Sequence, residues 1–244
     1  MIGCGRTDKG IVRKDNQDYF QIEQLHGDKL ILCVVCDGMG GASAGDVASR
    51  LATETFIQTL CDQPGALLDE ELVGAALRDA MMAANRVVYE EAKVRLEYKG
   101  MGTTLVGAVI QEKKAHIINI GDSRAYHISG KALTQITKDH SLVEFMVARG
   151  DITREEALTH SSRNLITRAL GTDEKVGHDL FTVDLSPGDC LLFCSDGLTD
   201  RISDEEILQE TSRYDDPDKC CEMLIHLSLA RGGSDNITAL IVRI

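Results

Sequence analysis

The longest uninterrupted apolar run is Leu30-Ile31-Leu32-Cys33-Val34-Val35-Cys36, the signature of a strand buried on both faces. A second such run, Cys190-Leu191-Leu192-Phe193-Cys194, lies far downstream. Each runs into an Asp-Gly: Asp37-Gly38 follows the first directly, and Asp196-Gly197 follows the second after Ser195. Ahead of the first run, Tyr19-Phe20-Gln21-Ile22 alternates as a strand with Asp18 at its entrance. A turn at His26-Gly27-Asp28 would make the two antiparallel neighbours. The apolar period then becomes helical. A helix from Ser43 to Leu60 buries Ala48, Ala52, Phe56 and Leu60, and one from Asp69 to Leu96 buries Leu72, Ala76, Ala80, Ala83, Val87 and Val94. From Thr103 the period is again that of strands: 103–110, 115–120, 124–129 and 132–136 read as a meander.

Residues 138–165 interrupt this pattern. Short helices are expected at Leu142–Arg149 and after the capping pattern at 151–156, with little apolar surface to bury. Strands resume at 178–184 and 190–194, joined by a type II turn at Ser186-Pro187-Gly188-Asp189. Helices at 203–212 and 217–230 precede a last strand, 237–244. No Pro- or Ser-rich linker divides the chain. The expectation is one α+β domain over residues 1–244, with 138–165 as a surface insertion. Two mainly antiparallel sheets pack as a sandwich flanked by helix pairs, in four αββα layers.

Composition narrows the partners. A net charge of −13 with 27% charged residues disfavours nucleic-acid backbones and anionic membranes. No Trp and only five Tyr and five Phe argue against a base-stacking surface. No run approaches a membrane span and the N-terminus has no apolar leader, so a cytoplasmic location is expected. In that compartment the eight cysteines read as small buried hydrophobes. Cys33 and Cys36 point to opposite faces of their strand and make no C-x-x-C site.

Asp18, Asp37, Asp122, Asp196 and Asp235 all fall at predicted strand ends. Taken singly, Asp-Gly is an ordinary hairpin turn. Taken together, carboxylates gathered without cations would repel one another. An all-oxygen set without His or Cys suits Mn(II) or Mg(II). Two such ions about 4 Å apart activate water and clamp an in-line displacement at phosphorus. The fork of Arg13 suits a phosphate.

The motifs Arg13-x-x-Asn16-Gln17-Asp18, Cys36-Asp37-Gly38-Met39-Gly40-Gly41, Gly121-Asp122-Ser123-Arg124, Ser195-Asp196-Gly197-Leu198-Thr199-Asp200 and Gly233-Ser234-Asp235-Asn236-Ile237-Thr238 occur in this order. Together they resemble the bacterial metal-dependent type-2C (PPM) serine/threonine protein phosphatases, over essentially the whole chain. That resemblance implies hydrolysis of phosphoserine and phosphothreonine in proteins by a water bridging two Mn or Mg ions, without a phosphoenzyme. It makes Asp37 the bridging ligand, Gly38 a carbonyl ligand, and Asp196 and Asp235 ligands of the first ion, with Asp18 acting through water. Asp122, with Asp196 and Asp200 as a further candidate, matches a weaker third-ion site. Arg13 matches the phosphate-binding arginine, and 138–165 the substrate-selecting flap. A monomer opposing a Hanks-type Ser/Thr kinase is the expected setting.

The chain departs from the family pattern at two positions. Met39 stands where animal relatives carry a His proposed as general acid, and Gln17 where Glu is frequent. An ion at Asp122 offers another acid, since it would acidify a bound water. His140, at the base of the insertion, reads as structural. The rivals are an interaction module that kept the fold without catalysis and a phosphatase devoted to one regulatory partner. The intact carboxylates argue against the first, and the lack of a sensor or coiled-coil segment against the second.

Overall fold

The computed structural model describes residues 1–25 and 29–244, so the expected His26-Gly27-Asp28 turn lies outside the described residues. The chain opens with strands β1 (Ile2–Asp8), β2 (Asp18–Leu25) and β3 (Leu30–Met39), then helices α1 (Gly41–Cys61) and α2 (Val73–Val94). Strands β4 (Gly102–Thr103), β5 (Leu105–Gln111), β6 (Lys114–Ile120), β7 (Arg124–Ser129) and β8 (Ala132–Gln135) follow, then α3 (Leu142–Arg149) and α4 (Arg154–Thr159). The remainder is β9 (Asp179–Asp184), β10 (Cys190–Cys194), α5 (Asp196–Thr199), α6 (Asp204–Arg213), α7 (Pro217–Ala230) and β11 (Ile237–Arg243).

Two sheets result. One has the order β1-β11-β10-β7-β8, the other β2-β3-β5-β6-β9 with β4 beside β3, and the paired strands run antiparallel. The period of two along β3 separates the layers. Leu30, Leu32, Val34 and Cys36 pack under α1 and α2, whereas Ile31, Cys33 and Val35 face the opposite sheet. Cys33 and Cys36 thus lie on opposite faces, as expected. Beyond the other sheet, α5, α6 and α7 cover Cys190, Leu192, Cys194, Ala239 and Ile241. The four-layer α+β sandwich is the observed fold.

Along α1, Ala48, Ala52, Phe56 and Leu60 are fully buried. Gly107 of β5 makes room for Phe56, because a Cβ there would stand 2.7 Å from the ring. The α2 stripe falls one residue later than the sequence suggests. Val73, Ala76, Leu77, Ala80, Met81, Ala84 and Val88 are its buried face, while Leu72 and Val94 are exposed, because the helix starts at Val73. In α7 the buried face is Cys220, Cys221, Leu224, Ile225 and Ser228. The type II turn is as expected: Asp189 N–H donates to the Ser186 carbonyl at 3.0 Å and Gly188 has φ 92°.

Two differences bear on the site. Residues 2–8, to which the sequence reading assigns no element, form β1 and pair with β11 from Ile2↔Arg243 to Asp8↔Ile237. Its glycines disguise it: Cβ atoms at Gly3 and Gly5 would lie 2.3 Å from Ile22 Cδ1 and 2.5 Å from Phe20 Cε2, side chains of the facing sheet. The expected meander is also divided. Strands β5 and β6 belong to one sheet, β7 and β8 to the other, so the chain crosses the sandwich at Gly121-Asp122-Ser123. Among the described residues no helix is long and apolar enough to cross a membrane.

Candidate active site

One end of the sandwich gathers the carboxylates. Asp18 opens β2 directly opposite Asp37 in β3. Strand β3 runs on to Met39, where Gly38 pairs with Thr103 and Met39 with Gly102. Asp37 therefore lies within a strand, not at its end as the sequence reading has it, and Asp37-Gly38 is no hairpin turn. The chain turns at Gly40, whose φ is 130°. Gly38 is needed for close approach instead, since a Cβ there would stand 1.9 Å from the Gly45 carbonyl oxygen and 2.6 Å from that of Gln17.

Asp37 is held by its backbone. Its N–H donates to Thr104 Oγ1 at 2.9 Å, and its carbonyl accepts from Thr103 Oγ1 at 2.9 Å and from Thr104 N–H at 2.9 Å. Thr104 Oγ1 lies 2.7 Å from Ser123 Oγ, which ties Asp37 to the crossing that carries Asp122. His140 braces that crossing: its Nδ1 accepts from Gly121 N–H at 3.1 Å and its own N–H donates to the Gly121 carbonyl at 2.9 Å. This contact agrees with the structural reading of His140.

The other sheet supplies Asp196, in the first turn of α5 beyond β10, and Asp235, which precedes β11. A Cβ at Gly197 would lie 2.0 Å from the Asn236 carbonyl oxygen, so this Asp-Gly too serves close approach. Arg13 Nη2 donates to Asp235 Oδ2 at 2.7 Å, which places the expected phosphate anchor on a carboxylate. Asp200 pairs with Arg163 of the 138–165 segment at 3.3 Å.

Sequence reasoning assigned no part to Asn236 or Thr104. Asn236 Oδ1 accepts from Gln17 N–H at 2.8 Å, and Nδ2 donates to the Lys9 and Asp15 carbonyls at 2.9 and 3.0 Å. It thereby fastens the loop that carries Arg13 to the start of β11. Its one signal in the sequence was its place beside Asp235.

Burial and crowding dominate the electrostatics. Asp18 and Asp122 are both pushed up to about 6, chiefly by burial. Asp37 and Asp196 are pushed well above the ordinary carboxyl value, first by burial and then by neighbouring carboxylates. Arg13 is pushed up by its hydrogen bond to Asp235. Asp18 Oδ1 and Asp196 Oδ1 are buried without a hydrogen-bond partner. Orphan carboxylate oxygens in an all-oxygen cluster fit hard divalent cations. Among the described residues no three such groups stand as closely as a closed metal shell.

A cleft of about 550 Å³ opens onto Asp37, Asp122, Asp196, Asp235 and Arg13. A second, of about 790 Å³, shares Asp122, Asn164 and Asp196 with it and extends between the 138–165 segment and the start of α6. The segment itself is mostly exposed. Bidentate Arg124–Asp139 contacts and the Ser141↔Ile166 bridge anchor its two ends.

Comparison with known proteins gives the same reading. Residues 8–223 match the protein phosphatase 2C family. The serine/threonine phosphatase stp of Listeria monocytogenes is 37% identical over 97% of this chain and 93% of its own length. Crystal structures of Staphylococcus aureus Stp1 (TM-score 0.91, 39% identity, 99% of this chain and 94% of that one) and of the PstP catalytic domain with two manganese ions (0.85, 36%, 98% and 96%) share its fold. The chain accordingly belongs to the protein phosphatase 2C family and is a bacterial serine/threonine phosphatase of the PPM kind.

Proposed function

We propose that this phosphatase hydrolyses phosphoserine and phosphothreonine in proteins with two Mn(II) or Mg(II) ions held by Asp37, the Gly38 carbonyl, Asp196 and Asp235. Asp18 supports them through water, and Asp122 serves a weaker third ion. The observation that carries this reading is the convergence of carboxylates from both sheets on one cleft, with two buried carboxylate oxygens lacking any donor. When bound, the ions supply the positive charge and activated water that displacement at phosphorus requires.

The chain's own residues then have distinct tasks. Asp37, within β3, and Asp196, in the first turn of α5, are held by buried backbone, so little reorganisation is needed when charge develops. Arg13, half-exposed at the rim, exchanges Asp235 for the phosphate oxygens of the substrate. No thiol competes as a nucleophile, because burial pushes Cys33, Cys36 and Cys194 up and keeps them protonated at neutral pH. The residue 138–165 flap, walling the larger cleft, selects the protein substrate. A single cytoplasmic domain acting as a monomer against a Hanks-type kinase completes the proposal.

The test is turnover of a phosphothreonine peptide. EDTA abolishes it and manganese restores it. Asp37→Asn and Asp235→Asn each lose about 10³-fold or more in kcat/KM, roughly 4 kcal/mol, while remaining folded. Full turnover by metal-free protein would overturn the two-ion reading.

A further inference from the structure

Asp18 belongs to one sheet, yet the hydroxyls that hold it come from the other. Ser195 Oγ donates to Asp18 Oδ2 at 2.6 Å, and Thr238 Oγ1 donates to the same oxygen at 2.7 Å. Asp18 is only 4% exposed, and Ser195 and Thr238 are fully buried. Both protons are directed. Ser195 Oγ accepts the Thr238 backbone N–H at 3.0 Å, and its own proton goes to the carboxylate. Thr238 Oγ1 lies 2.8 Å from Thr7 Oγ1, its cross-strand partner, and Thr7 Oγ1 accepts from Asn16 Nδ2 at 2.9 Å. A hydroxyl this close to an ionised carboxylate gives up its proton to that bond, so Thr7 donates to Thr238. A one-way chain thus runs from Asn16 through Thr7 and Thr238 to Asp18.

We propose that Ser195 and Thr238 are positioning residues for the divalent ions, clamping Oδ2 of Asp18 so that Oδ1 is the oxygen left to them. The proposal rests on the two-ion reading above. Two bonds fix one oxygen, and the other, beside the Asp37 carboxyl, takes no hydroxyl or backbone donor. Neither Ser195 nor Thr238 lines the cleft, so neither touches substrate. The clamp also locks the start of β2 to the ends of β10 and β11, the strands that deliver Asp196 and Asp235.

The experiment is calorimetric titration of metal-stripped protein with Mn(II) alone, with melting temperature in EDTA as the control for folding. Thr238→Val, which keeps shape and removes the hydroxyl, should weaken Mn(II) binding by about 10-fold, the low end of the effect of losing an outer-shell partner, because Asp18 acts through water. Thr238→Ser, which keeps the hydroxyl, should bind like wild type, and Ser195→Ala should weaken binding as Thr238→Val does. Equal weakening in Thr238→Val and Thr238→Ser would mean that packing alone matters and would overturn the proposal, as would unchanged affinity in Ser195→Ala. Should Thr238→Val not fold, Ser195→Ala alone decides. A wild-type protein that binds no Mn(II) would overturn the two-ion reading and this proposal with it.

Discussion

Asp18 and Asp37 stand directly opposite one another in an antiparallel pair, two carboxyl groups in register at the buried end of β2 and β3. Like charges so placed destabilise a sheet. On the two-ion reading, this is a cost of the metal-free fold that bound cations would relieve.

The pH dependence of stability should show that cost. Asp18 and Asp122 are pushed up to about 6, and Asp37 and Asp196 well above the ordinary carboxyl value, first by burial, whereas an unfolded chain releases these protons near pH 4. Folded pKa values above the unfolded ones mean a contribution that is fully present below about pH 4 and lost as pH rises through the folded values, about 6 for Asp18 and Asp122. Buried His116 and His140, pushed down chiefly by burial, act in the opposite sense near pH 6.5. The carboxylate part is read by comparing wild type with Asp37→Asn in EDTA. At pH 7.5 the variant should melt higher, by about 2–4 °C for each kcal/mol of repulsion relieved, and the gap should close toward pH 5. A variant that melts no higher at pH 7.5 would refute the stored repulsion.

Removing Arg13 should separate binding from chemistry. If its fork holds phosphate in both the ground and the transition state, Arg13→Ala raises KM and lowers kcat/KM on phosphopeptide. Lysine, a point charge without the fork, should rescue little. Unchanged kinetics in Arg13→Ala would leave Arg13 only its ion pair with Asp235.

The flap should govern selection rather than chemistry. Exchange of residues 142–163, keeping Asp139, His140 and Ser141 because they anchor the segment, should alter relative rates among phosphopeptides. Hydrolysis of p-nitrophenyl phosphate should hardly change. Equal effects on both substrates would make the segment structural.

Asp122 should matter most where the leaving group is poor. A serine or threonine alkoxide needs a proton on departure, whereas p-nitrophenolate does not, and Met39 cannot supply one. Asp122→Ala should therefore reduce kcat on phosphopeptide far more than on p-nitrophenyl phosphate, with excess manganese giving no rescue. An equal fall for both, or a fall explained by a lower Tm, would remove Asp122 from proton transfer.

What can be read from the chain depends on whether a signal is local. Strand β3 is legible because its residues are buried on both faces, and α1 because Ala48, Ala52, Phe56 and Leu60 repeat at helical spacing. Strand β1 is not, because its glycines answer to Ile22 and Phe20 across the sandwich. Asp37, Asp122 and Asp196 are legible as Asp beside Gly, although the glycines at 38 and 197 serve close approach rather than turning. The supports of the site stay hidden, since Thr104, Asn236, Ser195 and Thr238 act through partners far away in sequence.

Strand β11 lies between β1 and β10, so the last strand of the sequence is an interior strand of its sheet. During synthesis β1 has no partner and β10 only one until β11 emerges, and closing that gap joins residues separated by almost the whole chain, a slow step. Until then Asp18, Asp37, Asp122 and Asp196 have neither Asp235 nor the Thr238 hydroxyl beside them. On the two-ion reading, the metal site of a nascent chain would thus stay incomplete until β11 has paired.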